Sequence, residues 1–111
     1  MPDAKLEMLQ GTLDLLILRT LQWGAQHGHG IGQAIRVRSD DLLQLEHGSL
    51  YPALHRLRRA GLIESQWGVT ENNQRARFYR LTKAGKKQLS VEESKWNLFV
   101  KTVAKILRPQ E

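Results

Sequence analysis

The sequence predicts a mainly α-helical fold with a small β-hairpin wing: a winged helix-turn-helix continued by a long C-terminal dimerisation helix. Three observations predict it. Residues 47–82, HGSLYPALHRLRRAGLIESQWGVTENNQRARFYRLT, read as a helix followed by a two-stranded hairpin. An apolar pattern of seven-residue period runs through residues 83–107. The surplus positive charge is gathered on the helix and hairpin instead of being spread along the chain.

In chain order, residues 1–8 read as a loose N-terminus, and MPDAKLEML has no signal-peptide pattern. From Leu9 to Trp23, apolar Leu13, Leu15, Leu16, Ile17, Leu18 and Leu21 cover more than one face. A first helix here should therefore be buried on two sides, against the core and against either the C-terminal helix or a second subunit. GAQHGHG at 24–30 is a breaker cluster. A second helix is expected from about Gly30 to Arg38, with Ile31, Ala34 and Ile35 inward. Asp40 and Asp41 begin the turn into LLQLE, where winged helices often add a third small strand, although five residues are too few to establish one.

The helix that follows has Leu50, Leu54, Leu57 and Gly61 on one narrow face, at spacings of four, three and four. Pro52, His55, Arg56 and Arg59 occupy the opposite face, with Ser49 and Tyr51 flanking the first turn. Ser49 is the expected N-cap, which places Pro52 in the first turn, where its missing N–H costs little. Gly61 ends the helix. In the hairpin, Ile63, Ser65, Trp67 and Val69 alternate on one strand and Arg77, Tyr79 and Leu81 on the other. Between them, TENNQ supplies an Asn pair that tolerates left-handed backbone.

Thr82 should cap a last helix from Lys83 to Leu107, ended by Pro109. Leu89, Trp96 and Val103 recur every seven residues, Phe99 and Ile106 lie three further on, and Val100 and Leu107 sit beside them. Glu92 interrupts this seam. A helix of about 37 Å is too long for so small a domain to cover, so it predicts a homodimer. The expected organisation is residues 1–82 as the winged helix-turn-helix and 83–111 as the dimerisation helix, in one compact unit.

Composition narrows the function. At 111 residues, 41% hydrophobic and 25% charged, the chain suits one globular domain. It has no cysteine, which excludes disulfides and thiol catalysis and fits a reducing cytoplasm. No apolar run approaches the ~18 residues of a membrane span. Of the net +6, residues 56–87 carry nine Lys or Arg against two acids, a local +7; the remainder has eight against nine. Concentrated on a protruding helix and finger, this charge implies double-stranded DNA as partner. The deep, narrow groove of double-stranded RNA would exclude such a helix. His27, His29 and His47 lack cysteines and convergent acids, so no metal or other cofactor is expected. No glycine-rich phosphate loop, Ser-His-acid set or apolar carboxylate pair points to an enzyme.

The N-terminal half of the 49–60 helix should enter the major groove. Ser49 and Tyr51 are the candidates for phosphates, with Tyr51 packing against the wing as the alternative. His55 and Arg56 are the candidates for base edges, and Arg59 for backbone or solvent. Arg58 reads as solvated. Arg75 and Arg77 on the wing should meet phosphates or the minor groove, and Thr12 a further phosphate. Another class of function remains open: a protein-interaction module whose basic face meets an acidic partner.

GTLDLLILRTL, HGHGIGQAI, GSLYPALHRLRRAGLI and RARFYRLTKAG resemble the PadR family of bacterial transcriptional regulators, from about Leu9 to Leu107. SLYPALHRL followed by YRLT about two dozen residues later is the most specific part. The single C-terminal helix resembles the short subfamily, and WGVTENNQRARFYRLT resembles its acidobacterial form. The resemblance implies a homodimeric winged-helix repressor on an inverted-repeat operator, controlling functions such as detoxification or drug export. It also implies that aromatics near Trp96 can line a pocket for flat hydrophobic effectors; packing of the dimer interface is the alternative role for Trp96, Phe99 and Val100. Two departures stand out: His29 replaces the usual aromatic of the HGY motif, and Arg58 stands where an acid is common.

Overall fold

Helix α1 (Thr12–Gln22) is the post on which the other elements lean. A computed structural model describes residues 11–110, so the loose start expected over 1–8 and the helix start expected at Leu9 lie outside the described residues. Ile17, Leu18 and Leu21 of α1 are buried, and the helix packs against each of the later helices and against the sheet. The two-sided burial read from its apolar pattern is therefore met within one chain. Thr20, buried among these side chains, donates its hydroxyl to the Leu16 carbonyl at 2.8 Å, which satisfies its polar atom.

After α1 come β1 (Gln26–His27), α2 (Gly28–Arg38), α3 (His47–Arg59), β2 (Ile63–Val69), β3 (Arg75–Leu81) and α4 (Lys83–Leu107). The strands form one antiparallel sheet in the order β1-β3-β2. Its third strand is not LLQLE but Gln26–His27, paired with Tyr79 and Phe78. Residues 42–46 have no regular structure; the Ser39 hydroxyl takes the Leu43 N–H at 3.0 Å, and Leu43 and Leu45 pack on the core from a loop. Asp40 and Asp41 begin that turn at φ 54° and 65°.

Two helix starts differ from expectation, both by two residues. Helix α2 begins at Gly28 because His27 is a cap: its backbone is extended and its Nδ1 accepts the Gly30 N–H at 3.1 Å. Helix α3 begins at His47, and Glu46 occupies the cap position, its carbonyl accepting the Ser49 and Leu50 N–H groups. Ser49 is therefore not the cap but the third helical residue, and Pro52 lies inside the helix rather than in its first turn. The proline removes the bond that the Gly48 carbonyl would otherwise accept, on a side of α3 that is exposed.

The other end of α3 follows its sequence closely. Gly61 takes φ 78°, the Leu62 N–H reaches the Leu57 carbonyl and the Gly61 N–H reaches that of Arg58, a Schellman closure. The hairpin register sets Ile63 opposite Leu81, Ser65 opposite Tyr79 and Trp67 opposite Arg77, with Asn73 at φ 62° in the turn. Thr82 caps α4 by accepting the Gly85 N–H at 3.0 Å. Of α4, Gly85 and Leu89 are buried, and the helix runs on from there away from the core; the longest dimension of the molecule is 59 Å.

Gly85 is where α4 meets the turn after α3. A Cβ there would stand 1.9 Å from the Leu62 carbonyl oxygen, a backbone atom that cannot swing aside. Gly85→Ala is expected to destabilise by at least about 1–3 kcal/mol, as overpacking does, read as a lower urea midpoint at unchanged slope. Gly48→Ala, with nothing within 4 Å, is the control and should be neutral or stabilise by up to about 1 kcal/mol.

Candidate nucleic-acid interface

Helix α3 buries Leu50, Ala53, Leu54 and Leu57. At 3.6 residues per turn, the row opposite is Gly48, Pro52, His55 and Arg59, all exposed. The flanks hold the remaining candidates. On one flank the Tyr51 ring lies on the backbone of Gly28, where a Cβ would come within 2.6 Å of it. The ring is thus seated on the start of α2 while the residue stays 43% exposed. On the other flank Arg56 pairs with Asp14 in the first turn of α1, two residues from Thr12. Asp14 was absent from the residues singled out in the sequence. An acid in a first turn signals helix electrostatics, and nothing local signals a partner 42 residues away.

Ser49 is exposed at the open end of the row. A cleft of about 1240 Å³ lies between α2, the start of α3 and the wing, and Tyr51, His29, Arg38, Arg75, Arg77 and Phe78 are among its walls. The structure thus brings Tyr51, Arg75 and Arg77 to one concavity, while Arg56 and Thr12 stand at the far flank of the helix.

The two faces of the wing differ in charge. One carries Trp67, Val69, Arg75 and Arg77. The other carries Glu64 and Arg80, paired at 2.6 Å, and the half-buried Phe78, whose ring stands perpendicular to that of His27 with centroids 5.3 Å apart. Not every cation counted in the sequence therefore stands alone, since Arg56 and Arg80 already face carboxylates. Among the described residues no group of three or more His, Cys, Asp or Glu is placed to hold a metal ion; the His47 side chain lies outside the described residues.

Along α4 one expectation needs correction. Leu89, assigned to the effector pocket or dimer seam, is 1% exposed in the core of its own chain. The surface free for a partner begins beyond it. There Trp96 is half-buried and lies 6.2 Å from Phe99, ring to ring. Phe99, Val100, Ile106 and Leu107 are exposed and Val103 half-buried, an apolar row left largely open among the described residues. Glu92, the interruption in the seam, accepts from the Gln88 amide at 2.8 Å, and Glu93 lies 3.6 Å from Arg19 of α1.

Helices α2 and α3, flanked by a basic hairpin, make a winged helix-turn-helix, a DNA-binding fold. Comparison with known proteins agrees. The model of the transcriptional regulator PadR-like family matches residues 17–91. A transcriptional regulator from Clostridium thermocellum is 32% identical with a TM-score of 0.81, over 89% of this chain and 93% of that one. A PadR family transcription regulator from Clostridium difficile is 29% identical with a TM-score of 0.74, over 88% of this chain and 100% of that one. An uncharacterised protein of Lysinibacillus sphaericus is 30% identical over 81% of this chain and 83% of its own length. The chain belongs to the PadR-like family of transcriptional regulators, and its role is regulation rather than catalysis. No helix among the described residues is long and apolar enough to cross a membrane.

Proposed function

We propose that this regulator is a homodimeric repressor, each copy placing α3 in the major groove of one half-site of an inverted-repeat operator. One observation carries the reading: the start of α3, through Tyr51, and the wing, through Arg75 and Arg77, line the same cleft. A helix in the major groove and a finger in the neighbouring minor groove must straddle one phosphodiester strand, and that cleft suits it. Ser49 and Tyr51 then hold phosphates at the cleft's edge, with Thr12 on the far side. His55 and Arg59 project from the outward row toward base edges, and Arg56 reaches the groove from the flank with its guanidinium oriented by Asp14. Pro52 packs its ring into the groove beside His55.

Dimerisation rests on the apolar row of α4 beyond Leu89, which matches a seven-residue seam and is largely uncovered among the described residues. Two-fold pairing would set the reading helices on half-sites about one duplex turn apart. Trp96 and Phe99 form an aromatic pair within that seam and would stack on a flat hydrophobic effector held between the copies. With this architecture the protein acts in the compartment that holds the DNA.

A duplex selected from a random pool, compared with the region upstream of the protein's own gene, tests DNA recognition; binding to acidic proteins in place of any duplex would favour the interaction-module alternative. On the selected duplex, Arg56→Ala should lose ~1–3 kcal/mol and relax preference at one base pair. Arg75→Ala should weaken all sequences alike and reduce the salt slope by roughly one. Equal losses on every duplex from both variants would refute this division. Phe99→Asp should convert a dimer to a monomer in light scattering and weaken operator binding; a wild-type monomer would remove the dimer from the account. Planar aromatics should quench tryptophan emission in the wild type and not in Trp96→Leu, and an unresponsive wild type leaves Trp96 to packing.

A further inference from the structure

Trp67 of β2 stands on the cationic face of the wing. It is 52% exposed, and two guanidiniums lie over its ring, Arg75 at 4.7 Å from the centroid and Arg77 at 4.9 Å. Strand register produces the cluster. Arg77 is directly opposite Trp67, and Arg75 is opposite Val69, one diagonal step away. Side chains two apart on a strand share a face, so all three project together. Two like charges on neighbouring positions repel, and both are long, flexible side chains. The negative face of the indole offsets that repulsion and narrows the directions the two can take.

The two arginines are not held equally. Arg77 also donates from Nη1 to the Ser65 hydroxyl at 2.9 Å. For the Arg75 guanidinium, the indole is the only partner among the described residues. On the opposite face, Arg80 and Glu64 cancel each other's charge. The wing therefore shows one cationic face, and the orientation of its more mobile cation depends on a neutral ring.

We propose that Trp67 is a positioning residue for DNA, holding Arg75, and to a smaller degree Arg77, in the direction in which they engage phosphate. This rests on the DNA-binding role of the wing proposed above. Trp67 brings no charge, so it changes how well the two cations are aimed and leaves the number of counterions released on binding as it is. Losing the ring should therefore lower affinity without altering its salt dependence.

The test uses the full chain and the selected duplex, with Trp67→Leu, Trp67→Phe, Arg75→Ala and the Trp67→Leu/Arg75→Ala double variant. Leucine keeps apolar bulk on the strand but has no ring face. Trp67→Leu should bind about threefold to tenfold more weakly at an unchanged salt slope, and Trp67→Phe should recover part of the loss. Arg75→Ala should lower the slope by roughly one. The double variant should be no more than about twofold weaker than Arg75→Ala, because the two residues act together. In the free protein, ring current should move the Arg75 side-chain proton resonances upfield, and Trp67→Leu should return them to ordinary positions. Wild-type affinity in Trp67→Leu, fully additive losses or unshifted Arg75 resonances would each overturn the proposal while leaving DNA binding in place. A wild-type chain that selects no duplex would overturn both.

Discussion

The orientation of every surface that this molecule offers to a ligand depends on one junction, where the end of α3, the base of the wing and the start of α4 meet. Thr82 is its fastening. Its hydroxyl donates to the Gly61 carbonyl at 2.6 Å and accepts from Gly85, while its backbone N–H donates to the Leu62 carbonyl at 3.1 Å. Gly85 sits hard against that same Leu62 peptide. Four chain segments are therefore locked within a few residues of one another. Helix α3, the wing and α4 share one fixed frame, in which the Gly85 N–H, left open by the helix start, is satisfied by the Thr82 hydroxyl.

Within that frame, charge is sorted rather than merely accumulated. Arg56 and Arg80 are drawn to Asp14 and Glu64, pairs that are exposed and so add little to stability. Their effect is on direction. They remove positive charge from the back of the wing and fix a cation at one flank of α3, while Arg38, Arg75 and Arg77 line the cleft. A net charge of +6 describes how strongly the protein attracts a polyanion; the pairs shape where on the surface that attraction is strongest.

What could be read from the sequence divides by range. The Gly61 closure, the Asn73 turn, the Thr82 cap and the full extent of α4 were legible because each is decided by residues within one turn of it. The buried stripe Leu50, Leu54, Leu57 was legible from spacing, and so was the hairpin's alternation. The starts of α2 and α3 were not. His27 caps with an imidazole, outside the usual set of capping side chains, and the α3 start uses the Glu46 carbonyl in place of a side chain. The third strand exists only because Gln26 and His27 meet residues some fifty positions later. The candidate interface shows the same division. His55, Arg59, Arg75 and Arg77 were legible as outward or wing residues, whereas Asp14 beside Arg56, and Gly28 beneath Tyr51, arise from packing between elements distant in sequence.

Leu89 is the last buried residue of α4, and eighteen residues follow it to Leu107. At about 1.5 Å per residue that is an arm of roughly 27 Å, which touches α1 through Glu93 and Arg19 before it leaves the domain. A tilt of about 5° at Leu89 would sweep the tip through roughly 2 Å. Small differences in the angle at which α4 leaves the core are therefore magnified at the far end of the arm.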